Sequence, residues 1–187
     1  MLKEKMEYKG YEITTYYDEN GESPNYWGDS EIFLVYDHRQ FYVERKGFAP
    51  DDIFECFKNG AKLYYGFFIL PVYAYIHSGI VLSVAKNGWP FNDRWDVSFK
   101  GFVLVKRIKG VAWTRTKALQ LAQNLITIWN VYLSGEVYGY STDVSSCYGF
   151  YGEDGYKEMI EEAKGEIDAD IEEKRKKSGM QLLLQFT

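Results

Sequence analysis

The stretch that most limits how this chain can fold is Phe67 to Val84, its most hydrophobic run, because His77-Ser78-Gly79 cuts it. Crossing a bilayer takes about 20 consecutive apolar residues. No run here approaches that length, so the stretch is expected to be buried in protein. Its Phe, Ile, Val and Tyr residues suit a pleated, half-buried surface, which makes it two strands, or one bent strand, with the break carried on a turn. A chain of 187 residues, 46% hydrophobic and 26% charged, is long enough to enclose such strands in a core without metals or disulfides.

Further elements follow from local pattern. Tyr8 to Tyr17 and Glu31 to Tyr36 (EIFLVY) read as strands, and Asp18 to Asp29 between them collects turn-forming Asn, Gly, Ser and Pro, which predicts a long hairpin with an exposed loop. Pro50-Asp51-Asp52, then Ile53, Phe54 and Phe57, then Asn59-Gly60, carry the start and stop signals of a short helix. Gly101 to Lys106 is another strand. Thr116 to Leu133 is the clearest helix, with a capping-type threonine, apolar Ala118, Leu121, Ala122, Leu125, Ile128, Trp129 and Tyr132, and Ser134-Gly135 at its end. Glu136 to Ser141 and Cys147 to Tyr151 read as short strands. Asp154 to Lys177 is charge-dense with a narrow stripe of Met159, Ile160, Ala163, Ile167 and Ile171, the pattern of a helix docked by one thin face and ended by a solvated KRKK run. The sum is a single α+β domain over residues 1–187, with an antiparallel or mixed sheet, one long central helix and a charged C-terminal helix.

Charge narrows the class of partner. A formal net charge of -5 argues against a protein that clamps phosphate backbones, so no direct, specific nucleic-acid binding is expected. An acidic surface can instead meet a basic protein surface, including one that normally holds nucleic acid. The aromatic share is 18%, with 17 tyrosines, which fits strand-rich structure and also supplies good contact surface. Cys56 and Cys147 are too few for a disulfide framework, and the opening MLKEKMEYKG is too polar for a signal peptide, so a cytoplasmic location without membrane attachment is expected.

Four short groups look least like plain packing: His38-Arg39, His77-Ser78-Gly79, Trp95-Asp96 and Ser146-Cys147-Tyr148-Gly149. A pocket lined by His38, His77, Asp96 and Cys147 would allow general-base or thiol chemistry. Against it, Ser78 and His77 are neighbours and would point to opposite faces of a strand, and Cys147 in its sheet-like context reads equally as an inert packed thiol. Metal-ligand spacing such as HExxH or paired CxxC is absent from the sequence, as is any glycine-rich phosphate loop, so neither a metal nor a cofactor is expected.

Taken in order, the motifs resemble a widespread family of small proteins carried by bacteriophages and other mobile elements of gut Firmicutes and Bacteroidetes. That family shows ESPREWDN, then HRR, YDHSG, WDSGQVG, GEVYG and SCWGFYG. Here Glu22-Ser23-Pro24 with Trp27 resembles the first, His38-Arg39 the second, Tyr75 with His77-Ser78-Gly79 the third, and Trp95-Asp96 with Gly101 the fourth. Gly135 to Gly139 and Ser146 to Gly152 match the last two, so the likeness covers roughly residues 8–152. Where the family pattern has acids, this chain carries Tyr26, Gly28 and Ile76, and its helix has Leu125, Thr127 and Asn130 where the family reads EVETYD. Leu, Ile or Gly cannot replace a carboxylate base or ligand, so the motifs are read as holding up a fold and a binding surface. The resemblance implies an anti-defence protein of the anti-CRISPR kind. Its expected partner is a CRISPR effector nuclease with its guide RNA, of type II, bound without chemistry. Glu22, Tyr26, Trp27 and Asp29 in the first loop, with Arg39, are the expected partner-binding residues.

Overall fold

From Ile32 to Tyr36 the run IFLVY has no charged residue, and a strand that alternates its side chains can be so only if both faces of its sheet are covered. The computed structural model, described over residues 1–26, 31–85, 90–91, 95–107 and 114–184, shows that arrangement. Its elements are β1 (Leu2–Tyr8), β2 (Tyr11–Tyr17), a 3-10 turn (Pro24–Tyr26), β3 (Ile32–His38), β4 (Phe41–Val43), α1 (Pro50–Lys58), β5 (Leu63–Tyr64), β6 (Phe67–Ile76), β7 (Ile80–Val84), β8 (Val97–Lys106), α2 (Arg115–Leu133), β9 (Val137–Ser141), β10 (Ser146–Tyr151) and α3 (Gly152–Leu184). The class is α+β and every strand pairing is antiparallel. The antiparallel pairing is as expected, and the strands are divided between two sheets. Tertiary contacts divide the chain into two compact units, Glu22–Ser134 and the flanking Met1–Gly21 with Gly135–Thr187.

In the unit Glu22–Ser134 the strand order is β4-β3-β8-β6-β5, with β7 also paired to β6. Leu34, Tyr36, Leu70, Val72, Val103 and Val105 face α2, where Ala118, Ala122, Leu125, Ile126 and Trp129 complete one core. Phe33, Val35, Ile69, Phe102 and Leu104 face the other way and enclose Ile53 of α1. Phenylalanines fill that second layer edge-to-face: Phe33 lies 4.8 Å from Phe48, which lies 5.2 Å from Phe67. The expected strand break is a tight turn, in which the His77 N–H donates to the Gly79 carbonyl at 3.1 Å. Thr114, rather than Thr116, caps α2, its hydroxyl accepting from the Lys117 N–H at 3.2 Å.

Two asparagines finish the margins of this sheet. The Asn25 carboxamide donates to the Leu34 carbonyl at 2.7 Å and accepts its N–H at 3.0 Å, on β3 beyond the end of its pairing with β4. On β7 the Asn130 carboxamide of α2 does the same for Leu82, at 3.0 and 2.7 Å. Each side chain imitates one residue of a further strand. Unpaired peptide groups at a sheet edge invite another chain, and here two such positions are satisfied internally.

The flanking unit is a four-stranded sheet, β1-β2-β9-β10, with α3 on one face. The long hairpin expected between Tyr8–Tyr17 and Glu31–Tyr36 does not form. Tyr11–Tyr17 pairs with β1 and β9, while β3 pairs with β4 and β8 in the other sheet. The unit Glu22–Ser134 is therefore an insertion between two adjacent strands. Met159, Ala163 and Ile167 of α3 are fully buried against Ile13, Tyr138 and Tyr140, which is the thin stripe the sequence predicts. Tyrosines complete the docking: Tyr8 donates to Asp168 at 3.2 Å, Tyr11 to Asp170 at 2.8 Å and Tyr140 to Glu162 at 3.4 Å. Lys9 beside Asp168, and Lys174 beside Asp170, hold these two carboxyls below the usual carboxylate range. Lys174, Lys176 and Lys177 each pair with an acid four residues earlier, so three of the four KRKK cations are spent on their own helix.

Each sheet contains a glycine roofed by the aromatic ring opposite it. Gly101 pairs with Tyr36, and a methyl group at Gly101 would sit 1.8 Å from that ring. Gly139 pairs with Tyr148, where the clash would be at 2.1 Å. The consequences differ, because Tyr36 is fully buried and its hydroxyl is tied to the Ser98 carbonyl at 2.8 Å, whereas Tyr148 is 54% exposed and can swing away. Gly101→Ala is expected to lower unfolding stability by about 3 kcal/mol or more and Gly139→Ala by about 1 kcal/mol. Equal losses in urea titrations would contradict this difference.

Candidate functional site

The β6–β7 turn carries His77 to the end of β6, and the β6–β8 register brings Trp95-Asp96, just before β8, alongside it. The Ile76 N–H donates to the Asp96 carbonyl at 2.8 Å, which fixes the backbone of one beside the other. The side chains then meet: His77 Nδ1 lies 3.0 Å from Asp96 Oδ2. A carboxylate at Nδ1 holds the proton there and leaves Nε2 as the outward acceptor, the orientation a general base needs. The Tyr75 ring lies 6.3 Å from the imidazole and 5.9 Å from Phe91, so the pair has an aromatic flank.

Exposure sets what this pair can do. The His77 side chain is 66% exposed and that of Asp96 37%, so water competes for both partners and the contact itself contributes little to stability. Among the described residues no serine, threonine or cysteine hydroxyl or thiol is hydrogen-bonded to His77. Trp95 next to it is 95% exposed, a large contact surface beside a polarised imidazole.

The other expected site residues fall elsewhere. His38 ends β3, and its Nδ1 accepts the Gln40 N–H at 3.3 Å, a local turn bond that holds the ring on the β3–β4 hairpin. Arg39 is exposed in that turn. Cys147 belongs to the flanking unit, on β10, where it packs against the α3-facing core. Burial, followed by the nearby Glu162 carboxylate, pushes its thiol above the ordinary value, which makes thiolate chemistry harder at neutral pH. Among the described residues no group of three or more His, Cys, Asp or Glu side chains could hold a metal ion. No helix among them is long and apolar enough to cross a membrane.

Of the first-loop residues, Tyr26 closes the 3-10 turn with its N–H donated to the Ser23 carbonyl at 2.9 Å and its ring 77% exposed. Pro24 of the same turn is buried. Glu22 precedes it, and Trp27 and Asp29 lie outside the described residues. Sequence reasoning missed Asn25, which sits between the expected contact residues and hydrogen-bonds β3; its only signal was an amide beside a proline in a turn.

Comparison with known proteins finds no matching family, no matching curated protein and no matching solved structure. Chemistry and geometry therefore carry the functional reading. For Cys147 they make a direct statement: in a Cys56→Ser background, its alkylation by iodoacetamide should reach half-maximal rate above the ordinary thiol range, and Glu162→Gln should bring that midpoint down. A midpoint at or below the ordinary value would restore a nucleophilic role.

Proposed function

We propose that the chain is a non-enzymatic anti-defence protein of the anti-CRISPR kind, which binds a type II effector nuclease with its guide RNA in the host cytoplasm and inhibits it. The proposal rests on the resemblance of its ordered motifs to the mobile-element family. One structural observation supports it: Tyr26, on the segment that carries the first motif, presents its ring almost fully to solvent on a turn anchored by buried Pro24 and by the Asn25 bonds to β3. A rigidly based, exposed tyrosine offers large amphipathic area at small entropic cost, which is how binding hot spots are built. The contact set is Glu22, Tyr26, Trp27 and Asp29, with Arg39. A net charge of -5 would speed encounter with a basic nucleic-acid groove.

The 3.0 Å contact of His77 with Asp96 favours a second reading, a small enzyme or a small-molecule sequestering protein that uses this imidazole. A plasmid-interference assay in cells carrying a type II CRISPR system separates the two. Expression of the chain should restore plasmid survival, Tyr26→Ala should weaken that protection about tenfold, and His77→Ala should leave it intact. Absence of protection would sink the anti-CRISPR reading, and its loss in a folded His77→Ala protein would turn the account toward the second.

A further inference from the structure

The two margins of the flanking sheet differ in charge. β1 at one edge is LKEKMEY, four of whose seven residues are charged, a composition that discourages another strand from pairing there. β10 at the other edge is SCYGFY, without a charge, and it pairs only with β9. The Asp143-Val144 turn closes on Thr142 and Ser145, the Thr142 N–H donating to the Ser145 carbonyl at 2.8 Å. By the antiparallel alternation Cys147 then exchanges bonds with Tyr140, and the N–H groups of Ser146 and Tyr148 point away from β9. Ser146, Tyr148 and Gly149 are exposed.

α3 packs over β9 and β10 and carries a row of acids along this side. From Glu153 to Glu173 its other acids pair with lysines, as Glu161 does with Lys164, Asp168 with Lys9 and Asp170 with Lys174. Glu158, Glu162 and Glu166 are exposed and meet no cation among the described residues. Their spacing of four residues puts them in one row on the helix. Sidedness follows from the contacts: Lys164 reaches toward the Tyr8 ring of β1, whereas Glu162 accepts the Tyr140 hydroxyl of β9 at 3.4 Å. Burial first, then the Glu162 and Glu166 carboxylates, push that hydroxyl above its ordinary value. From Gly135 to Tyr156 the sequence has no Lys or Arg, while Glu136 and Asp143 add negative charge at the strand ends.

We infer that the β10 edge is a peptide-binding site, which takes an extended segment with Lys or Arg at alternate positions as an added strand. Backbone bonds to Ser146 and Tyr148 hold the segment, and its basic side chains on the α3 face meet Glu158, Glu162 and Glu166. The spacings agree, since four residues of helix rise about 6 Å and two residues of strand about 6.6 Å. A second copy of this chain is a poor occupant, because antiparallel pairing of two β10 edges would set two acidic rows side by side. A phosphate backbone would be repelled by the same row. In strand addition main-chain bonds give affinity and side-chain contacts give selectivity. The site uses none of the residues assigned to nuclease contact, so it goes beyond the anti-defence reading and does not rest on it.

The test titrates three synthetic peptides into the isotope-labelled full chain: TKVKVKT with alternating lysines, TKKKVVT with the same composition in blocks, and the acidic TEVEVET. TKVKVKT should bind and slow hydrogen exchange at the Ser146 and Tyr148 amides about tenfold or more. Replacing Glu158, Glu162 and Glu166 together by Gln, exposed changes that leave α3 folded, should weaken that binding about tenfold. TKKKVVT should bind about fivefold more weakly or worse, and TEVEVET not at all. No binding of TKVKVKT, equal binding of TKKKVVT, or binding that leaves the two amides unprotected would each overturn the inference. Protection of those amides that rises with protein concentration alone would also overturn it, by placing a second copy on the edge. None of these outcomes involves a nuclease, so this site and the anti-CRISPR reading fail separately.

Discussion

The hydrogen bonds between the Asn130 carboxamide and the Leu82 peptide join the longest helix of the unit Glu22–Ser134 to the margin of its sheet, and much of that unit depends on them. A helix can cover a sheet with apolar side chains at many offsets. Two opposed bonds to one peptide allow only one. Held at that offset, α2 places Trp129 against Phe41 of β4, ring centres 5.9 Å apart, and so forms one wall of a groove lined also by β4 and the Pro24–Tyr26 turn. Asn25 applies the same device on β3, where it also anchors the turn that exposes Tyr26. Structural satisfaction and surface presentation are thus carried by the same two amides.

The aromatic content has two separate explanations. Phenylalanines close the α1 side of one sheet, where nothing polar is required of them. Tyrosines dock α3 onto the other, each burying a ring and passing its hydroxyl to a helix carboxylate, as Tyr8, Tyr11 and Tyr140 do. The tyrosines left over for contact are those without such a role: Tyr26, Tyr42, Tyr65 and Tyr148 all keep more than half their surface in solvent. Two of these four lie at one groove, and Tyr148 is committed to roofing Gly139. Several motif residues that suggested chemistry also have local duties. Gly101 and Gly139 make room for rings, and Gly149, at φ +87°, sits in the bulge between Tyr148 and Phe150.

Much of the fold was legible because its signals are local. Pro50 and Asn59 bracket α1, the stripe Met159–Ala163–Ile167 marks the buried face of α3, and His77-Ser78-Gly79 marks a turn. What was missed is non-local. β2 follows the rules of a hairpin strand, yet its second partner, β9, comes after the whole insertion, and nothing in residues 8–36 encodes that. β1 escaped because LKEKMEY is mostly charged, its few half-buried side chains meeting α3 only once the sheet exists. At the site, His77 and Asp96 were each recognisable as polar residues at strand ends, but their meeting depends on the β6–β8 register. From the sequence alone Asn130 looked like an ordinary polar residue of the helix. Its amide is needed because a carboxylate could accept from the Leu82 N–H but not donate to the Leu82 carbonyl.

That last requirement gives the most direct measurement of the account: urea unfolding of Asn130→Asp as a function of pH, with hydrogen exchange read at the Leu82 amide. The variant should lose about 3 kcal/mol at neutral pH, since a carboxylate would face a carbonyl oxygen in a half-buried position. That repulsion raises the folded-state value of the new carboxyl above its unfolded value of about 4. The loss is therefore full above the raised value and shrinks as pH falls through it, when the protonated group can donate again. Exchange at Leu82 should quicken at neutral pH and slow again on acidification. A variant as stable as the parent at neutral pH, with Leu82 equally protected, would show that the asparagine bonds do not hold α2 on the sheet.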